Sequence, residues 1–94
     1  MDRQPAIELL EATHSFPCPY MFKVIGLTDG NFVGRVLQTV RSQLAEDAEP
    51  SFSTRQTAGG RHVSVTIEPT LDSADHVLAI YRELSELQGL VLML

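Results

Sequence analysis

The 94-residue sequence is poor in cysteine and in aromatic residues: it contains one cysteine, Cys18, and no tryptophan. Because a single thiol cannot form an intramolecular disulfide, the fold does not depend on an oxidising compartment. Residues 1–12 lack the apolar core of a signal peptide. The longest apolar run, residues 90–94, is far shorter than the ~20 residues that span a bilayer. We therefore expect a cytoplasmic protein.

Positive charge is also scarce. The chain has 7 lysines and arginines against 12 aspartates and glutamates, which gives a net charge of −5. Proteins that bind nucleic acid or anionic membranes usually concentrate basic residues, so we expect neither partner. The apolar share of 44% and the charged share of 20% are typical of a globular domain, and a chain of this length has room for one core.

What the sequence does contain is a regular succession of apolar patterns. Alternation of apolar and polar residues predicts strands, and apolar residues spaced by three and four predict helices. Residues 1–18 are predicted to form a short helix and a proline-containing linker, and residues 19–94 a single domain. Within that domain the predicted elements are strands at 20–27, 51–57, 62–68 and 90–94 and helices at 31–45 and 73–88.

The order of these elements is β-α-β-β-α-β. With right-handed crossovers and a hairpin at the glycine turn 58–61, this order predicts an α+β sandwich of the ferredoxin-like type. We expect a four-stranded antiparallel sheet in the spatial order 4-1-3-2, with both helices on one face. The first and third strands are then central, in agreement with their apolar character.

The second face of such a sheet has no helix over it. Lys23 is the residue of the first strand least suited to burial, so Met21, Lys23 and Ile25 are expected to face outward. The last strand is apolar throughout and would add either Val91 and Met93 or Leu92. On the third strand the outward residues are expected to be His62, Ser64, Thr66 and Glu68.

Exposed apolar patches, and sheet edges without lysine or proline, are typical of interaction surfaces. The sequence therefore predicts a protein partner or a homo-oligomer, formed through the open face or its edge. The predicted interface comprises Met21, Lys23, Ile25, Val91 and Met93. The alternative is that residues 1–18 fold back over this face. Three cations could also gather on it, namely Lys23, Arg55 and Arg61.

The loop after the first strand is a candidate ligand site. Backbone amides at the start of the following helix would favour a carboxylate, and Asp29 could bind an ammonium group. The pattern therefore suggests a small amino-acid-like ligand. The alternative is a tight turn that needs glycine for its backbone angles. The predicted ligand loop comprises Gly26, Thr28, Asp29, Gly30 and Asn31.

No residue pattern predicts catalysis, a cofactor or a metal. His14 and Cys18 are close in sequence, but an irregular segment with two prolines does not fix their geometry. Asp72 and His76 have a helical ligand spacing without the second pair that a zinc site needs. An acylphosphatase would need an arginine in the first loop. An RNA-recognition domain would need outward aromatic residues where the third strand has serine and threonine.

Three segments resemble the YbeD-like family, a bacterial family of small domains of unknown function. The most specific is Phe16–Gly26, with the run Phe-Pro-x-x-aromatic-x-aromatic-Lys-Val-Ile-Gly, and residues 62–67 and 81–84 follow in the right order. The resemblance covers about residues 8–94. It implies a fold similar to ACT-type regulatory domains and no catalytic residue. Proposals for that family concern regulation, including that of lipoate metabolism, so a regulatory role is an expectation.

Together, the patterns and the resemblance predict a small non-enzymatic regulatory or protein-interaction domain, with ACT-like sensing of a small ligand as its possible subclass. The alternative is a protein–protein adaptor that binds no small ligand.

Overall fold

The computed structural model describes residues 5–94. The short N-terminal helix, the four main strands and the two longer helices that the sequence predicts are all present. Two additional strands of two residues each were not predicted. In chain order the elements are α1 (Ile7–Thr13), β1 (Cys18–Pro19), β2 (Phe22–Leu27), α2 (Phe32–Arg41), β3 (Ser51–Gln56), β4 (His62–Glu68), β5 (Thr70–Leu71), α3 (Ala74–Ser85) and β6 (Leu90–Met93).

The main sheet has the strand order β3-β4-β2-β6, and all three neighbouring pairs are antiparallel. When only the four long strands are counted and the sheet is read from the β6 edge, this is the predicted order 4-1-3-2. The ferredoxin-like prediction is therefore confirmed. Val24 of β2 lies opposite Val65 of β4 and opposite Met93 of β6. Residues directly opposite in an antiparallel pair point to the same face, so these three side chains share one layer.

The core lies between this face and the two long helices. On α2 the buried residues Phe32, Val36 and Val40 recur every four positions, which places them on one side of the helix. On α3 the stripe is formed by Val77, Ile80 and Leu84. The hydroxyl of Ser73 accepts the backbone N–H of His76 at 3.1 Å and so caps the start of α3.

The N-terminal segment packs on the helix side. Leu10 of α1 is buried in the core, and α1 packs against α3. Strand β1 pairs with β5, and the hydroxyls of Tyr20 and Tyr81 lie 3.1 Å apart. Burial raises the pKa of Tyr81, and the hydrogen bond with Tyr20 raises it further. Helix α1 therefore does not cover the open face. Residues 1–4 of the predicted segment lie outside the described residues.

Strand β6 departs from simple alternation. Leu92 lies opposite Ile25, but the register then shifts and Leu90 lies opposite Gly26. The extra residue of this β-bulge is Val91, which is 49% exposed. Met93 faces the core and is only 4% exposed. The prediction that Met93 lies on the open face is therefore wrong, and the alternative, Leu92, is confirmed.

The first turn of α2 lies in close contact with β2. Gly26 is buried on the core face of β2, and the aromatic ring of Phe32 lies directly against its backbone. A Cβ atom at position 26 would overlap that ring. Gly26 is therefore needed for packing between the sheet and the first turn of α2.

We expect Gly26→Ala to lower the free energy of unfolding by about 2 kcal/mol, because the added methyl group must displace Phe32 from a packed core. Urea unfolding followed by circular dichroism measures this loss. Gly59→Ala is the matched control, since a Cβ at Gly59 meets no atom within 4 Å. That control should change stability by less than about 0.5 kcal/mol. Equal effects of the two substitutions would contradict the packing role.

Candidate functional site

The open face of the sheet is one of two candidate sites, and it divides into two halves. The apolar half lies over β2 and β6. Ile25 lies opposite Leu92, and Leu94 donates its N–H to the carbonyl of Lys23 at 2.8 Å, which extends the ladder beyond β6. Leu94 is 59% exposed and Leu27 is 43% exposed. We call Ile25, Leu27, Leu92 and Leu94 the apolar half.

Met21, predicted to belong to this face, is exposed but precedes β2. Of the predicted interface residues, Lys23 and Ile25 lie on the open face and Val91 is exposed at the bulge. Only Met93 is removed to the core. The β2 faces were correctly predicted because Lys23 and the buried pair Phe22 and Val24 alternate along the strand.

The second half lies over β3 and β4 and includes Lys23 of β2. Arg55 lies opposite Ser64, and Ser53 lies opposite Thr66, which in turn lies opposite Lys23. Together with Thr54 these residues line a shallow depression of about 280 Å³. We call Lys23, Ser53, Arg55, Ser64 and Thr66 the basic half. Arg61 lies in the hairpin turn before β4 and does not line the depression, so two of the three predicted cations meet here.

The basic half differs in sign from the chain as a whole. Among residues 5–94 the one ion pair joins Arg41 to Glu49 at 3.3 Å, so neither Lys23 nor Arg55 pairs with a described carboxylate. Glu68, at the end of β4, is the acidic residue on the outward side of that strand. The face thus has an apolar half beside two cations that no described acidic group neutralises.

The second candidate site is a cavity of about 380 Å³ where the loop before α2 meets the loop before β6. Of the predicted ligand loop, Asp29 and Gly30 line it. The other three predicted members have different roles. Gly26 leaves room for the ring of Phe32, and Thr28 donates its hydroxyl to the carbonyl of Gly60. Asn31 immediately precedes α2, and its side chain lies against Gly34.

Arg35 dominates this cavity, and the sequence analysis did not identify it. Its Nε donates to the carbonyl of Gly30 at 2.8 Å and its Nη1 donates to that of Gln88 at 2.7 Å. The guanidinium also lies over the ring of Phe32, 5.7 Å from the centroid. Because helical side chains point toward the N-terminus, a residue in the first turn of α2 could have been expected to reach back to this loop.

The third nitrogen of that guanidinium, Nη2, forms no hydrogen bond within the described chain. It lies beside Gly30 and Gly89, both of which have positive φ angles. A Cβ atom at either glycine would make only ordinary contact with Nη2, so it is the positive φ angles that favour glycine at these two positions. Arg35, with one unused donor, and Asp29 thus line the same cavity.

Two histidines and the cysteine are held in place by hydrogen bonds or packing. His76 accepts the N–H of Asp72 at Nδ1 and lies 2.7 Å from the carbonyl of Gln43 through Nε2, so it connects α3 to the end of α2. The ring of His14 packs on Tyr20. Cys18 pairs with Leu71 in the small sheet. Within residues 5–94 no three histidine, cysteine or acidic side chains are grouped so that they could hold a metal ion.

No helix formed by residues 5–94 is long and apolar enough to cross a membrane.

A family model described as "Protein of unknown function (DUF493)" matches residues 11–94. The chain belongs to this family. A UPF0250 protein of Shewanella oneidensis is 34% identical over 82 residues, which are 87% of this chain and 86% of the relative. A UPF0250 protein of Shewanella baltica is 34% identical over 74 residues, 79% of this chain and 82% of that one. These matches confirm the resemblance to the YbeD-like family.

The solution structure of protein HP0495 from Helicobacter pylori superimposes with a TM-score of 0.69. It covers 100% of this chain and 98% of its own length at 12% sequence identity. A second solution structure of HP0495 has a TM-score of 0.59 at 16% identity and covers 84% of this chain and 87% of that one. At such low identity the likeness shows that this DUF493 chain shares the fold.

Proposed function

We propose that this DUF493 protein is a non-enzymatic interaction domain that binds a protein partner through the open face of its sheet. The observation that supports the proposal is the apolar half, where Ile25, Leu27, Leu92 and Leu94 lie together with no described segment over them. Burying such a patch releases about 25 cal/mol for each Å² of apolar surface. A partner is the natural means of burying it.

The edges of the sheet are less suited to binding. Strand β6 has four residues and a bulge, two features by which natural proteins keep an edge from pairing with another chain. Strand β3 is longer, but it is exposed along its whole length and its apolar content is limited to Phe52. The open face therefore offers the better-defined surface.

A photoreactive amino acid at Ser64, in the middle of the open face, should form covalent adducts with the partner in extracts of the native cells. The same amino acid at Gln38, exposed on α2, is the control and should form few. Ile25→Lys in the Ser64 variant should abolish the adducts, because it places a charge in the apolar half. Gel electrophoresis with mass spectrometry measures the adducts, and one at twice the chain mass would identify a second copy as the partner.

Adducts of equal yield from positions 64 and 38 would contradict the proposal, and so would adducts that persist with Ile25→Lys. Circular dichroism of each variant checks that the fold is retained.

A second candidate function is the binding of a small ligand in the cavity at Arg35. The observation that favours it is that Arg35, whose Nη2 forms no hydrogen bond within the described chain, and Asp29 line the same cavity and offer it a guanidinium and a carboxylate. These groups are complementary to the carboxylate and the ammonium of an amino acid. A ligand there would contact both the loop before α2 and the loop before β6, and could regulate how a partner docks.

We expect an amino acid that fits this cavity to raise the melting temperature, since a ligand that binds only the folded state stabilises it. A thermal-shift screen of the common amino acids and of lipoate measures the effect. Asp29→Asn should remove the shift while leaving the melting temperature of the free protein unchanged, because Asp29 is exposed and forms no ion pair with a described residue. Absence of any shift in the screen would overturn this second function.

A further inference from the structure

We propose that the segment that docks on the open face is an amphipathic α-helix with acidic residues along one flank. The inference deepens the proposed interaction function and rests on it. It follows from three properties of the face: the hydrogen bonding of its strands, its width, and the position of its charges.

The hydrogen bonding of the sheet favours a helix as the partner. The central strands β2 and β4 are paired on both sides, so their backbone groups are already used within the sheet. The open face therefore offers side chains only. A partner buried against it must satisfy its own backbone N–H and C=O groups, which an α-helix does and an extended segment does not.

The width of the face fits one helix beside the two cations. Adjacent strands are about 4.8 Å apart, so β6 and β2 together present an apolar strip about as wide as the ~10 Å diameter of a helix. Arg55 lies on β3, two strands from Ile25 and thus about 10 Å away. A helix seated on the apolar half would lie next to Lys23, which shares β2 with Ile25, and would bring one flank toward Arg55.

The charges then specify an acidic flank. Lys23 and Arg55 form no ion pair with any residue from 5 to 94, and Ser64 and Thr66 of β4 lie on the strand between them. Glutamate or aspartate on the flank would pair with these cations, whereas lysine would be repelled. Exposed ion pairs contribute little affinity, so the apolar contact should supply most of the binding and the charges most of the selectivity.

A second copy placed face to face is a poorer match. Its open face would bring two more cations, Lys23 and Arg55, and a single outward carboxylate, Glu68, at the end of β4. Its contacting surface would be a sheet without an acidic flank. An acidic amphipathic helix therefore fits the observed chemistry better.

The test uses three fluorescent 18-residue helical peptides. The first has a leucine stripe flanked by glutamate, the second has the same stripe flanked by lysine, and the third has the composition of the first in an order that destroys the stripe. Fluorescence anisotropy with the full chain should show at least tenfold tighter binding of the first peptide than of the other two. Added salt should weaken that preference for glutamate over lysine.

Charge reversal at the two cations gives the sharpest outcome. In the double variant Lys23→Glu/Arg55→Glu the lysine-flanked peptide should bind more tightly than the glutamate-flanked one. Arg82→Glu, an exposed arginine on α3, is the matched control and should keep the original preference. A preference that does not reverse, or no binding of the glutamate-flanked peptide, would overturn the inference. If the photoadducts at Ser64 persist in that case, the interaction function stands without it.

Discussion

The packing of both long helices on a single face of the sheet is the constraint on which the rest of the structure depends. It places Val24, Val65 and Met93 in one layer of the buried core that also contains Phe32 and Ile80. It also leaves the opposite face with no described cover. Successive side chains of β2 point to opposite faces of the sheet, so one set packs in the core and the other set lies on the open face. The candidate interaction surface is thus a direct consequence of how the core is built.

The start of α2 shows how closely packing and a possible binding site are connected. Gly26 allows Phe32 to lie on the sheet, and Arg35 then reaches back over that ring to hold the loops on either side of the cavity. Several features that suggest a ligand loop in the sequence therefore have a structural explanation. Packing does not explain why Arg35 keeps an unused donor in a cavity that Asp29 also lines.

Much of the fold could be predicted from the sequence because its elements have strong periodicity. The faces of β2 follow from Lys23, and the faces of β4 follow from strict alternation. Strand β6 could not be assigned in the same way. Residues 90–94 are apolar on both faces, so no polar residue marks the outward side, and the bulge at Val91 interrupts the alternation. The two-residue strands β1 and β5 are too short for any pattern.

The candidate sites were harder to predict than the fold. The basic half joins residues of three strands, and only strand register shows that Arg55 and Lys23 share a depression while Arg61 does not. The loop sequence alone does not indicate Arg35, because this residue lies in α2. A helix residue one turn further along has the reach to complete such a site.

The central claim is that the apolar half of the open face is solvent-exposed in the isolated protein. Methyl NMR relaxation in the presence of an inert, water-soluble gadolinium complex tests it most directly, in a sample dilute enough to be monomeric. Strong enhancement is expected for the methyl groups of Ile25, Leu27 and Leu92, and little for those of Val65 and Met93. Enhancement of Met93 with protection of Ile25 and Leu92 would contradict it.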